Sequence, residues 1–262
     1  VITPAAPPPT GVASIDGVTI ATYEFGEADA RPVLLVHGFA SSGMLNWRNS
    51  GWIRDLLRAD YRIIAIDQRG HGLSDKPHSP DAYTIDLLVA DVQSVLDTYL
   101  LDEVDYVGYS LGARVGWRIA VQAPERIRRL VLGGIPDGDP LTRFRVDEAR
   151  AFIADGAPIG DKLTATYVKM AGGIRGNDLT ALISLVEGMR GGPVPDPADP
   201  PTQPALLEQI VGWAEFCGLR VVVEPGVFVP RRRTEFMVQL GSDIAREGAV
   251  AVDLCCGTGA IG

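Results

Sequence analysis

Cysteine and positive charge are both scarce in this chain. Three cysteines, Cys217, Cys255 and Cys256, cannot build a disulfide framework, and the adjacent pair fits no zinc-ligand spacing, so no metal site is expected. Twenty-four Lys and Arg face 33 Asp and Glu, a net charge of -9 that disfavours broad binding to nucleic-acid phosphates. The basic run Arg231-Arg232-Arg233 is short and reads as a solvated loop or helix entry. No apolar run approaches the roughly 20 residues of a membrane-spanning helix. The first ten residues hold four prolines and no basic residue, unlike a signal peptide. Expected from these absences are no nucleic-acid partner, no membrane partner and a cytoplasmic location. Histidine is scarce as well: His37, His71 and His78 are the full set.

What is present suits a packed enzyme-like domain, with 46% hydrophobic and 22% charged residues. Residues 1–17 read as a loose arm. From residue 18 to 132, short β-branched runs alternate with amphipathic stretches, the pattern of a mostly parallel sheet covered on both faces. Strands are expected at residues 32–36, 62–66, 104–107 and 129–132. A crossover helix is expected over 85–99, where Leu88, Val92, Val95 and Leu96 share one face. Residues 143–189 read as short helices broken by Gly156, Pro158, Gly172, Gly173 and Gly176, an insertion resembling a lid that spans about 137–192. Gly and Pro dominate residues 188–204, which sets a domain boundary there. Beyond it come a helical run over 205–216, strands at 219–223 and 249–254, and a helix over 234–246.

Gly108-Tyr109-Ser110-Leu111-Gly112 directly follows the strand ending at Val107 and opens a helical run. A serine on so cramped a turn needs small flanking residues, and the turn lifts its Oγ clear of the sheet. The first helical N–H groups then face a developing negative charge, which makes the Leu111 N–H a natural oxyanion donor. Leu34-Leu35-Val36-His37-Gly38-Phe39 ends one strand in a sharp turn, and Asp67-Gln68-Arg69-Gly70-His71-Gly72-Leu73-Ser74 ends the next in a glycine-rich one.

In this order and spacing the three segments resemble the α/β-hydrolase superfamily over roughly residues 12–207. The resemblance implies a parallel sheet with a helical lid, Ser110 as nucleophile, and an oxyanion hole formed by the N–H groups of Phe39 and Leu111, with no cofactor. The substrate class it implies is a small hydrophobic ester, thioester or lactone, or a carbon–carbon bond beside a ketone. Serine rather than aspartate at the elbow argues against the dehalogenase and epoxide hydrolase branches. In the family a histidine after the last strand serves as base, and no residue from 111 to 262 is histidine. His37 matches the oxyanion-loop histidine that shapes a turn. His71 lies at the active edge and has two readings, a pocket residue or a turn filler, while His78 reads as a solvated loop residue. Asp137 matches a less common position for the acid, though Pro136-Asp137-Gly138 is also a plain turn. With the base missing, impaired hydrolysis is expected, or a small-ligand binding module.

A second constellation closes the chain. Glu224-Pro225-Gly226-Val227-Phe228-Val229-Pro230-Arg231, Thr234-Glu235 and Val252-Asp253-Leu254-Cys255-Cys256-Gly257-Thr258-Gly259 resemble the opening part of the release-factor glutamine methyltransferase family. That resemblance implies S-adenosylmethionine, with Asp253, Gly257 and Gly259 on the cofactor loop of a partial Rossmann-like segment over 205–262. The segment stops at Gly262, before the helix that should follow the loop and without an Asn-Pro-Pro-Tyr motif, so the pocket is expected to be incomplete. A competing reading adds strands 219–223 and 249–254 to the hydrolase sheet in place of that family's last strands. Glu224 would then fall near the acid position.

Overall fold

A computed structural model describes residues 4–134, 138–194, 213–216 and 219–222. Contacts within the chain divide it into two units, residues 1–204 and 205–262. In the first unit a six-stranded sheet is built from β1 (Thr10–Ala13), β2 (Thr19–Phe25), β3 (Arg31–Val36), β4 (Tyr61–Ile66), β5 (Val104–Tyr109) and β6 (Ile127–Gly133), in the order β1-β2-β4-β3-β5-β6. β3 pairs in parallel with β4 and β5, and β5 with β6, while β1–β2 and β2–β4 are antiparallel. The central strands are apolar because both sheet faces are covered: Val33 through Val36 and Ile63 through Ala65 are fully buried.

The two antiparallel strands correct the expectation of a loose arm. Residues 10–13 pair with 19–22 through a turn in which Gly17 adopts φ +84°. β1 is an edge strand of four residues behind a proline-rich stretch, so it carries little pattern of its own. Pro4 is tied down as well, its carbonyl accepting from Arg48 Nε at 2.7 Å.

Three helices clothe the sheet: α1 (Trp52–Arg58), α2 (Ile85–Thr98) and α3 (Leu111–Gln122). α2 starts where Thr84 Oγ1 accepts from the Leu87 N–H, and its buried stripe includes Leu88, Val92, Val95 and Leu96. The loop after β4 is locked by Arg69, a fully buried guanidinium held by Asp91 (2.6 and 2.7 Å), Asp16 (2.8 Å) and the Ala82 carbonyl. Unpaired, that charge would be costly to bury; here every side of it is answered.

After β6 comes the lid, α4 (Val146–Asp155), α5 (Lys162–Gly172) and α6 (Leu179–Met189). Its breaks have ordinary chemical causes: Gly156 closes α4 in a left-handed conformation, and Asp161 and Asp178 cap α5 and α6 by accepting from Thr164 N and Ala181 N. α6 seats the lid on the core. A Cβ at Gly188 would collide with the Pro80 carbonyl, and Ser184 Oγ donates to His78 O at 2.6 Å.

In the second unit β7 (Trp213–Phe216) and β8 (Leu219–Val222) pair antiparallel as their own two-stranded sheet. Residues 213–216 are therefore strand, not the end of a helix. In the backbone register Trp213 pairs with Val222 and Phe216 with Leu219, where a helical run is expected. The segments read as a helix over 234–246 and a strand over 249–254 lie outside the described residues.

Candidate active site

From β3 the chain crosses to β4 on one side, and β5 lies on the other, so the loops after β3 and β5 diverge from neighbouring strands. Such a divergence opens a crevice at the carboxyl ends of the strands. Ser110 and the segment from Gly38 to Ala40 stand there.

Ser110 adopts φ 52°, ψ -106°, outside the regions that side-chain-bearing residues favour. Its neighbours hold it in place. Ser110 N–H donates to Gly133 O at 2.8 Å, and Ser110 O accepts from Arg114 N–H at 3.1 Å to open α3. Both flanking glycines are compulsory, since a Cβ at Gly108 would strike the Gly112 carbonyl and one at Gly112 the Val36 carbonyl. The buried Tyr106 hydroxyl donates to Gly112 O at 2.7 Å, and burial raises its phenol well above the usual value, keeping it a donor. Gly112 N–H reaches His37 O at 3.1 Å, stitching the elbow to the loop after β3.

That loop passes close to the serine: a Cβ at Gly38 would lie 3.3 Å from Ser110 Cβ. Phe39 follows, and among the described residues its N–H has no protein acceptor. Leu111 opens α3, where a helix leaves its first N–H groups without intrahelical partners. Two backbone donors thus stand on the segments flanking Ser110.

Neither buried histidine is available as a base. His37 Nε2 accepts from Gln68 N–H at 3.0 Å, so its proton sits on Nδ1, which faces Gly38 O at 2.7 Å. His71 repeats the arrangement, with Nε2 accepting from Ala40 N–H at 3.0 Å and Nδ1 donating to Arg69 O at 3.0 Å. Burial holds both imidazoles neutral, pushing His37 down to about 4 and, with the neighbouring His37 as a second cause, His71 to about 3. Of the two readings of His71, turn filler is the one its contacts fit. His78 is largely exposed and lies 2.8 Å from Asp178 Oδ2 at the start of α6. Burial raises the Asp178 carboxyl, but the hydrogen bonds from His78 and Ala181 outweigh it and hold the group below its usual range.

Asp137, Glu224, Asp253, Gly257 and Gly259 lie outside the described residues. Asp139, two positions past Asp137, is engaged elsewhere: it pairs with the buried Arg114 at 3.2 Å and accepts from Gly191 N–H at 2.9 Å. Among the described residues no group of His, Cys, Asp and Glu could hold a metal ion, and no helix is long and apolar enough to cross a membrane.

Three residues that support the site were not singled out from sequence. Asp67, almost fully buried, accepts from Gly43 N–H (2.7 Å), Leu73 N–H (2.8 Å) and Tyr23 Oη (2.9 Å), fastening the loops after β3 and β4 together. Arg114 reaches both ends of the lid, at Asp139 and at the carbonyls of Gly192 and Pro193. Asn177, in the turn before α6, donates to Ala40 O. Asp67 is the one with a sequence signal, a lone acid where a strand enters a glycine-rich turn.

Comparison with known proteins agrees with this geometry. Residues 31–154 match the family described as "alpha/beta hydrolase fold". An AB hydrolase superfamily protein, YfhM, of Bacillus subtilis is 35% identical over 121 residues, 46% of this chain and 41% of that one. Epoxide hydrolase A of Mycobacterium tuberculosis is 31% identical over 208 residues, 71% of this chain and 62% of the relative. The chain spans between 32% and 62% of the length of such curated relatives. Among solved structures, a hydrolase from Pseudomonas aeruginosa superposes with a TM-score of 0.54 at 25% identity, covering 70% of this chain and 73% of that one. Overall likeness to a protein named an epoxide hydrolase was not foreseen from the serine at the elbow. The match stops at residue 154 and gives no support to a methyltransferase-like segment. Sheet order, the turn after β5 and the sequence match agree that residues 31–154 are similar to the alpha/beta hydrolase fold family, with Ser110 at the strand-to-helix turn.

Proposed function

We propose that Ser110 is the nucleophile of an acyl-transfer hydrolase acting on a small hydrophobic ester, thioester or lactone, or on a carbon–carbon bond beside a ketone. The observation that carries this reading is Ser110 itself, held at φ 52° by two compulsory glycines beside a loop that presents a free N–H. Strain of that kind persists where the surroundings over-determine it, and it clusters at reacting groups. In the proposed step Ser110 Oγ adds to the carbonyl carbon and gives its proton to water or hydroxide, the C=O electron pair moves onto the oxygen where the N–H groups of Phe39 and Leu111 stabilise it, and collapse breaks the bond to the leaving group, which takes a proton from water.

Hydroxyl chemistry also sets the reading apart from that of the epoxide hydrolases it resembles. A carboxylate nucleophile is already ionised at neutral pH, whereas a serine must lose its proton to a base as it attacks. His37 and His71 are neutral with both ring nitrogens engaged, and His78 pairs with Asp178. We infer that this chain acylates slowly, keeping the portion of catalysis that an oxyanion hole and binding supply without a base. Hydrolysis of p-nitrophenyl acetate and butyrate by the chain and by Ser110→Ala tests this. Slow turnover lost in the variant supports it; equal background in both sinks it.

A further inference from the structure

We propose that Asn177 is a positioning residue through which the lid holds the oxyanion loop in shape; the proposal rests on the reading of the Phe39 N–H as an oxyanion donor. Ala40, the residue after Phe39, is fully buried and sits at φ 57°, a left-handed conformation that alanine avoids. Both of its backbone polar groups are captured from outside the loop. Its N–H donates to His71 Nε2 at 3.0 Å, from the loop after β4, and its carbonyl accepts from Asn177 Nδ2 at 3.0 Å, from the lid. The same Asn177 amide donates to Ala171 O at 3.0 Å near the end of α5, so its direction is fixed.

Packing follows the same line. Ala40 shares a buried cluster with Ala171 and Leu182 of the lid, and the Phe39 ring lies between His71 (6.1 Å) and Tyr167 of α5 (6.0 Å). One side of the clamp therefore belongs to the scaffold and the other to the lid. The Phe39 N–H belongs to the Gly38–Phe39 peptide, one unit before the Phe39–Ala40 peptide whose N–H the clamp holds, so the restraint reaches the donor through the Phe39 dihedrals. A lid lifted from the core takes the Asn177 bond with it and leaves Ala40 free to relax toward an ordinary conformation, so the donor is aimed only while the lid is seated.

Asn177→Asp tests this with little change of shape, because a carboxylate cannot donate, and Asn177→Ala tests it without added charge. In the full chain labelled with ¹⁵N, amide hydrogen exchange of Ala40 is expected to quicken about five- to tenfold in both variants, the effect of losing one ordinary hydrogen bond. Exchange of Leu34 and Leu35 in the centre of β3 is expected to stay unchanged. With an alkyl fluorophosphonate, the inactivation rate constant is expected to fall by a similar factor while the half-saturating concentration holds. Unchanged Ala40 exchange, or a uniform rise that includes β3, overturns the clamp. If the unaltered chain is not labelled at Ser110, the nucleophile reading fails, and Ala40 exchange still decides whether the clamp exists.

Discussion

Acid should unfold this protein earlier than its carboxylates alone would dictate, because it buries two neutral histidines. His37 and His71 are both fully buried, with imidazoles held near 4 and 3 against an ordinary value of 6.5. Above pH 6.5 both folded and unfolded chains carry neutral rings, and neither residue makes stability depend on pH. Below it the unfolded chain binds protons that the folded chain refuses, so stability falls with pH. Relative to pH 7.5, each histidine costs about 1 kcal/mol at pH 5.5, and the pair about 5 kcal/mol at pH 4.5. That is a large share of the roughly 5–15 kcal/mol that holds a domain folded. Asp16 and Asp178, held below the usual 3.8, add their loss only at lower pH. The assay is urea unfolding at steps from pH 7.5 to 5.0, with the slope read as protons taken up on unfolding. Between pH 6 and 5 the expected slope approaches two protons, and His71→Gln should lower it to about one. A slope well under one proton in the unaltered chain would refute buried neutral imidazoles.

Other consequences are testable in the same preparation. Ser110→Gly should abolish hydrolysis yet raise stability by about 1–2 kcal/mol, because glycine occupies φ 52° without strain; a destabilised variant contradicts the strain. Gly112→Ala should disrupt the elbow, since the new methyl meets the Val36 carbonyl, and circular dichroism with urea unfolding should show a loss of several kcal/mol. Arg114→Met strands the nearly buried Asp139 carboxylate and frees both lid ends; a loss of about 3 kcal/mol and faster proteolytic cutting near residues 139–145 and 189–193 are expected.

Much of the fold was legible because its signals are local. β-branched runs marked the four central strands, glycines and Pro158 marked the lid's breaks, and Gly108 and Gly112 marked a turn too tight for side chains. β1 and β2 were missed since antiparallel strands depend on their partners, and β1, at the sheet edge, is short with a glycine inside it. Site details were less legible for a related reason. The role of His71 rests on Ala40, 31 residues away, and that of Asn177 on the same residue 137 positions away, contacts that only the folded loops create. In residues 213–216, helical spacing and cross-strand pairing compete, and the pairing prevails.

Whether Ser110 is a nucleophile working without a base is tested by intact-mass measurement of fluorophosphonate labelling, run beside Ser110→Ala from pH 6 to 9. Slow addition of one label is expected, absent from the variant, at a rate that climbs steadily with hydroxide because no imidazole in this chain takes the serine proton. Failure to label, or labelling that persists in Ser110→Ala, would contradict Ser110 as nucleophile; a rate that levels off near pH 7 would contradict the absence of a base.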